Sequence, residues 1–277
     1  MAAKKTPKHG KAPVKKGATA RKPAASKTGG QAAAAKPAAT KPKAKLRLDP
    51  AQVQATYAKL RERHSDAHCE LDHQNAFQLL LATVLSAQST DVMVNKITPE
   101  LFKHWSTPKA LARAEPAEVE QVLSKIGMYR QKTKNVIGVS KLLIAEHGGE
   151  VPRTLAELIR LPGVGRKTAN VVLGVAFGTP EGVVVDTHVQ RISQRLGWTK
   201  HTEPVEIEQD LMKLFPRSEW DMLSHTLIFH GRRVCAARKP ACAACPVSAE
   251  CPSAFHAEQV GRKEPSLRRR AGKPVSA

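Results

Sequence analysis

The sequence of 277 residues predicts an all-α protein with enough apolar residues to build one or two cores. Apolar side chains recur at helical spacing from about residue 50 to about residue 230. Cap residues, prolines and glycines separate these segments, and only the valines of residues 183–185 suggest a strand. Because alternating strand patterns are otherwise missing, a helical architecture is the expected fold class.

The predicted helices start at recognisable caps. Asp49 and Pro50 begin the first helix, which places Val53, Tyr57 and Leu60 on one side. A second helix, residues 76–85, is apolar nearly all round and is therefore predicted to be buried at the centre. The others are predicted over about residues 91–105, from 108, over 116–126, 131–147 and 155–160, from 166, from 186, and over 204–215 and 218–230.

The net charge of +21 is concentrated at the two ends of the chain. Residues 1–47 contain fourteen Lys or Arg and no acid, residues 261–277 carry +5, and residues 48–260 carry only +2. We predict that residues 1–47 form a disordered basic arm and residues 261–277 a disordered basic tail, adding salt-dependent affinity for a polyanion. With aromatic residues at 4%, stacking of single-stranded bases is disfavoured, so a duplex is the expected partner. No apolar run of ~18 residues and no secretion signal are visible, which favours an intracellular protein without membrane contact.

Residues 161–173 predict a tight hairpin that opens directly into a helix. Gly163 and Gly165 are predicted to take backbone angles closed to other residues, so that N–H groups of residues 163–166 and the first helical turn point outward together. Such a helix start attracts anions, and a nucleic-acid phosphate is the obvious candidate. Lys167 lies in the same turn, where the helix dipole disfavours an ammonium. It is therefore a candidate nucleophile, although phosphate contact alone is the alternative.

Four of the five cysteines lie close together, at Cys235, Cys242, Cys245 and Cys251. Four thiolates within seventeen residues can converge on one metal centre, and disulfides do not suit a chain without a secretion signal. The spacing alone accommodates either zinc or an iron–sulfur cluster. Arg238 and Lys239 lie in the first loop of this segment and are predicted to meet a backbone phosphate. A second metal site at His64, His68, Cys69 and His73 is the weaker alternative to ordinary loop histidines and a buried thiol.

Five motifs in order resemble the endonuclease III family. They are residues 86–91, 161–173, 185–189 and 230–232, and the C-x6-C-x2-C-x5-C spacing that begins at Cys235. The resemblance extends from about residue 50 to about residue 255. It implies the helix-hairpin-helix DNA glycosylase fold, with two helical domains, a cleft between them and a C-terminal iron–sulfur loop. It further implies one 4Fe-4S cluster rather than zinc on the four cysteines.

The same resemblance implies roles for individual residues. Lys167 is the expected nucleophile and Asp186 its acidic partner, although Asp186 on its own is better explained as an ordinary helix cap. Gln88 is expected to fill the gap left by an extruded base, although it could simply cap a helix. Met128 stands where an intercalating wedge is expected, and methionine is apolar and flexible enough to serve.

The resemblance also implies an organisation and an activity. A six-helix domain is expected at residues 69–179, and a second domain at residues 48–68 and 180–260. The implied enzyme is a monomer that removes oxidised pyrimidines from double-stranded DNA and cleaves abasic sites. It is expected inside the cell on DNA, which means the cytoplasm or nucleoid if the source is bacterial. An adenine-mismatch glycosylase is disfavoured by Lys167 and by the missing recognition domain after Cys251. A non-enzymatic, metal-stabilised DNA-binding protein would give Lys167 and Asp186 no joint purpose.

Overall fold

The computed structural model describes residues 49–260. The predicted basic arm, residues 1–47, and the predicted basic tail, residues 261–277, lie outside the described residues. Residues 49–260 contain eleven α-helices, three one-turn 3-10 helices and no strand. The predicted all-α fold class is therefore confirmed for the described part of the chain.

The α-helices follow one another at short intervals along the chain. They are α1 (Pro50–Arg63), α2 (Ala76–Leu85), α3 (Asp91–His104), α4 (Pro108–Ala112), α5 (Pro116–Leu123), α6 (Tyr129–His147), α7 (Leu155–Leu158), α8 (Arg166–Phe177), α9 (Thr187–Arg195), α10 (Pro204–Leu214) and α11 (Trp220–Arg233). In residues 49–260 no helix is long and apolar enough to cross a membrane.

Local capping chemistry explains most helix starts. Asn75, Thr90, Thr107 and Thr154 each have an extended backbone and a side-chain oxygen that accepts a first-turn N–H. Proline occupies the first position of α1, α4, α5 and α10, where its missing N–H removes no helical hydrogen bond. Each cap satisfies a donor that the helix itself cannot pair, and so fixes where the helix begins.

Several helix ends differ from the predictions by one to three residues, and two differences from the predicted elements have a clear physical cause. α6 begins at Tyr129 rather than at residue 131, because Met128 adopts a left-handed conformation with φ 58° that ends the preceding turn. The valines of residues 183–185 form a buried extended segment rather than a strand. The N–H of Val184 donates to the Ser224 hydroxyl at 3.0 Å, so a side chain of α11 replaces a strand partner.

Buried side chains form two clusters. The first contains residues of α2 to α8 with the segments that join them, and the second contains residues of α1 and α9 to α11 with Val183, Val185 and Val247. Residues 69–179 hold seven helices, one more than the six implied, because α7 is a single turn of four residues. The described chain belongs to one compact unit, so the division into two domains stays a prediction. α8 packs against α2 of the first cluster and α11 of the second, which places its N-terminus where the two clusters meet.

Candidate active site and cysteine centre

The hairpin before α8 depends on one of its two glycines for its backbone conformation. Gly163 has φ +76°, and a Cβ there would lie 2.4 Å from Nδ2 of Asn135. The buried Val164 closes the turn by donating its N–H to the Leu161 carbonyl at 3.1 Å. The special backbone predicted for Gly165 is wrong, because its φ of −96° is open to any residue. Its missing side chain instead leaves open space over the start of α8.

Arg166, a predicted phosphate contact, is held against Glu208 of α10, and its side chain is 40% exposed. Its Nε and Nη2 donate to the two carboxylate oxygens of Glu208 at 2.7 and 3.0 Å. The Glu208 side chain is only 5% exposed and also accepts from Asn170 Nδ2 at 3.2 Å. This fork raises the pKa of Arg166. The pair ties the start of α8 to α10, and so links the two core clusters.

We expect Arg166→Ala to lower the free energy of unfolding by about 1–3 kcal/mol, because it leaves the buried Glu208 carboxylate without its cation at a site that solvent reaches through the 40% exposed Arg166 side chain. Urea denaturation measures the loss, and Glu208→Gln in the same chain should restore part of it. Arg61→Ala is the matched control, because its exposed pair with Glu219 is worth less than about 1 kcal/mol. Unchanged stability together with weaker DNA binding would instead make Arg166 a phosphate contact.

Lys167 and Asp186, the two predicted catalytic residues, line the same cleft of about 110 Å³. Lys167 is the second residue of α8 and is exposed. Asp186 is the N-cap of α9, and its Oδ1 accepts the N–H groups of His188 and Val189, both at 2.8 Å. Its Oδ2 has no hydrogen-bond partner within residues 49–260. One oxygen therefore fixes the side chain, while the other is available to a ligand.

The cleft also contains charged residues to which the sequence assigned no role. Asp91 Oδ2 lies 2.9 Å from Nη2 of Arg232, and Arg232 also pairs with Glu70. Burial raises the pKa of Asp91, an effect that the charge of Lys167 opposes and the charge of Asp186 reinforces. Asp91 and Arg232 belong to two of the five motifs that carry the family resemblance. Their place in these motifs is the sequence feature that could have identified them as site residues. Their pairing across 141 residues of sequence could not be predicted.

Two exposed loops bring Gln88 and Met128 to one surface. Both residues adopt the left-handed conformation, with φ 55° and 58°. The loops are close, because a Cβ at Gly127 would lie 4.0 Å from the Gln88 carbonyl oxygen. The buried Lys132 donates from Nζ to the Ser89 hydroxyl at 2.7 Å and so ties α6 to the Gln88 loop. The two residues predicted to fill and wedge the duplex thus lie on neighbouring loops.

All four cysteines of the C-terminal segment line one cavity, and none forms a disulfide. Burial raises the pKa of the Cys245 and Cys251 thiols, and the other cysteines reinforce this effect. Thiols placed in this way need a positive centre to become thiolates, so the donor set fits a thiolate-bound metal group. Across residues 49–260, no three His, Cys, Asp or Glu side chains converge closely enough for a single metal ion.

The neighbouring loop residues have separate surroundings. Arg238 and Lys239 are exposed, and Lys239 has φ 51° with its N–H donating to Glu258. Neither lies among the residues that line the cleft. The histidines of the weaker metal hypothesis are engaged elsewhere, since His68 and His73 bond backbone carbonyls at 2.7 Å and His64 bonds His230 at 3.1 Å.

The chain matches the HhH-GPD superfamily base excision DNA repair proteins over residues 81–217. This class accounts for a hairpin that opens into a helix at the edge of a cleft between helical cores. A thermostable thymine-DNA glycosylase shares the fold, with a TM-score of 0.65 and 22% identity.

Proteins with higher sequence identity to this chain identify its family within this superfamily. Endonuclease III of Synechocystis sp. is 52% identical over 195 residues, covering 70% of this chain and 89% of the relative. Endonuclease III of Escherichia coli K12 is 42% identical over 193 residues, covering 70% and 91%. A solved trapped covalent intermediate of endonuclease III with DNA has a TM-score of 0.71 and 45% identity, covering 75% of this chain and 98% of that one. The chain belongs to the endonuclease III family, which confirms the resemblance, and it is a base-excision-repair DNA glycosylase and abasic-site lyase.

Proposed function

We propose that the enzyme removes oxidised pyrimidines from duplex DNA and then cleaves the abasic site through a Schiff base on Lys167. The observation that carries the proposal is that Lys167 and Asp186 line the same cleft. An amine and a carboxylate placed together can act on the sugar of one extruded nucleotide. A base inside the duplex is out of reach, so the nucleotide must be flipped into this cleft.

The chemistry follows from the two groups. The neutral Lys167 amine attacks the sugar C1′, the bond to the base breaks, and the base leaves with the electron pair. Ring opening then gives a Schiff base between Lys167 and C1′. Loss of a C2′ proton expels the 3′ phosphate by β-elimination and breaks the strand on that side. Asp186 accepts the Lys167 proton or balances the positive charge that develops on the sugar, using the oxygen not engaged by the N–H groups of α9.

The DNA is held from several surfaces. The N–H groups of Gly163, Gly165 and Arg166, at the open start of α8, take a backbone phosphate, while the Val164 N–H stays bonded to the Leu161 carbonyl. Gln88 occupies the gap left by the flipped base, and Met128 wedges between the neighbouring base pairs. Arg238 and Lys239 meet a second stretch of backbone.

Cys235, Cys242, Cys245 and Cys251 would hold one 4Fe-4S cluster. When bound, such a cluster supplies a one-electron redox couple and a rigid covalent anchor. The four cysteines would then fix the loop that carries Arg238 and Lys239. The protein acts on DNA as a monomer inside the cell.

Borohydride trapping across a set of duplexes tests the function. We expect covalent adducts with duplexes that carry an abasic site or thymine glycol, and none with undamaged DNA. Adenine opposite an oxidised guanine is included as a separate substrate. Efficient release of that adenine without a covalent adduct would contradict the proposal and favour a mismatch glycosylase. Binding to every duplex without any base release would favour a non-enzymatic DNA-binding protein.

Deleting residues 1–47 should weaken duplex binding and flatten its salt dependence, because the segment contains fourteen cations and no acid. For every phosphate that the shortened protein no longer neutralises, the slope of log affinity against log salt should become shallower by about 0.9. The single-turnover cleavage rate with saturating enzyme should change little, since Lys167 and Asp186, which are assigned to the reaction, both lie in residues 49–260. A deletion that leaves low-salt affinity unchanged would assign the arm another role.

A further inference from the structure

Two arginines of α9 are buried beside the cysteine cavity without an acidic partner. Arg195 is 1% exposed and Arg191 is 6% exposed. Neither forms an ion pair with a carboxylate of residues 49–260. Asp186 attracts Arg191 electrostatically, but it makes no contact with the guanidinium.

All three guanidinium nitrogens of Arg195 donate hydrogen bonds, and two of them donate to the segment that contains the first cysteine. Nη1 donates to the Ala236 carbonyl at 2.8 Å and to Sγ of Cys235 at 3.2 Å. Nη2 donates to the Ala237 carbonyl at 3.0 Å, and Nε donates to the Val260 carbonyl at 3.1 Å. The Cys235 sulfur is therefore the acceptor in this set that can become a full negative charge.

Arg191 lies one helical turn earlier and approaches the same cysteine from the backbone side. Its Nη2 donates to the Gly231 carbonyl at 2.9 Å and to the Cys235 carbonyl at 3.3 Å, and it also contacts Nδ1 of His188 at 3.1 Å. Every acceptor is neutral. The Arg191 guanidinium therefore has hydrogen-bond acceptors, but no negative group among them balances its positive charge.

A buried cation without a countercharge is destabilising, because carbonyl dipoles replace water only in part. Two cations at positions i and i+4 of one helix also repel each other. Both arginines are nevertheless buried in the fold, and a negative group next to them would offset this cost. The four thiolates that line the adjoining cavity are the negative group that the described chain offers.

We propose that Arg191 and Arg195 are the countercharge of the metal group on the four cysteines, and that they set its redox midpoint. The inference rests on the proposed 4Fe-4S cluster. With four thiolates and a doubly positive core, that group is a dianion, which two guanidiniums balance. Oxidation by one electron leaves a monoanion and an excess of buried positive charge. Both arginines therefore favour the reduced member of this couple and raise its midpoint.

The test is a redox titration of purified holoprotein followed by the cluster absorbance near 410 nm. We expect Arg195→Gln to lower the midpoint, with at least a tenfold higher ratio of oxidised to reduced cluster at a fixed potential, or 59 mV for one electron. Arg191→Gln should shift the midpoint in the same direction. Arg195→Lys keeps the charge and should stay near the wild-type midpoint. Arg238→Gln removes an exposed cation three residues from Cys235 and should change little, because solvent screens it.

Iron content per chain is the second readout and covers variants that do not hold the cluster. If Arg195→Gln loses iron, the charge proposal requires Arg195→Lys to retain it. Equal midpoint shifts in the Gln and Lys variants, no shift in either, or iron loss in both would overturn the proposal, because hydrogen-bond geometry would then explain Arg195. A wild-type protein that contains zinc instead of iron would refute the proposed cluster itself, and that failure is visible before any variant is made.

Discussion

Lys167→Gln is expected to abolish borohydride trapping and to slow cleavage of an abasic duplex by about 10⁴-fold or more, as removal of a nucleophile does. The amine is the atom that bonds to C1′ in the proposed reaction, so no neighbouring group replaces it. Lys167 lies in the first turn of α8, where a phosphate contact would be an equally natural role. A second substitution is therefore needed that removes the nucleophilic amine but keeps the positive charge that could contact a phosphate.

Lys167→Arg provides that separation. Arginine keeps the positive charge and the reach to a phosphate, but its guanidinium is not a nucleophile at neutral pH. We expect the Arg variant to bind an abasic duplex within a few-fold of wild type and to form no adduct on borohydride treatment. Lys200→Gln, at an exposed site outside the residues that line the cleft, is the control and should trap normally. Normal trapping by Lys167→Arg would refute the nucleophile assignment.

Local sequence signals predict the parts of this fold that local chemistry determines. Asn75, Thr90 and Thr107 mark helix starts because each side chain pairs an N–H two or three residues ahead. The special backbone expected at Gly163 is present, and a side chain there would also strike Asn135. The confirmed family resemblance extends this local information to the fold and the enzyme class.

The remaining features depend on contacts that no local pattern encodes. Arg166 is followed by an apolar helix and looks like a free phosphate ligand, yet its partner Glu208 is 42 residues away. The left-handed backbone of Gln88 and Met128 is also invisible, because neither residue type favours it and the surrounding loops impose it. Arg191 and Arg195 look like ordinary residues of a capped helix in the sequence, although both are almost fully buried in the structure.

Asp186→Asn is expected to slow cleavage by about 10²–10⁴-fold while leaving stability nearly unchanged. Asparagine is as good an N-cap as aspartate, so its side-chain oxygen can keep the bonds to the N–H groups of His188 and Val189. What the variant loses is the negative charge that receives the Lys167 proton or offsets charge on the sugar. The measurement is the single-turnover rate on an abasic duplex, together with the free energy of unfolding.

Asp186→Ala completes the argument, because it removes both the charge and the cap. It should match the Asn variant in rate and lose a further ~1 kcal/mol of stability from the start of α9. A purely capping role predicts the opposite pattern, in which Asn is active and only Ala is impaired. Cleavage by Asp186→Asn within threefold of wild type would therefore leave the carboxylate without a catalytic role. A slow but stable Asn variant would show that the charge of Asp186 is needed for cleavage independently of the cap.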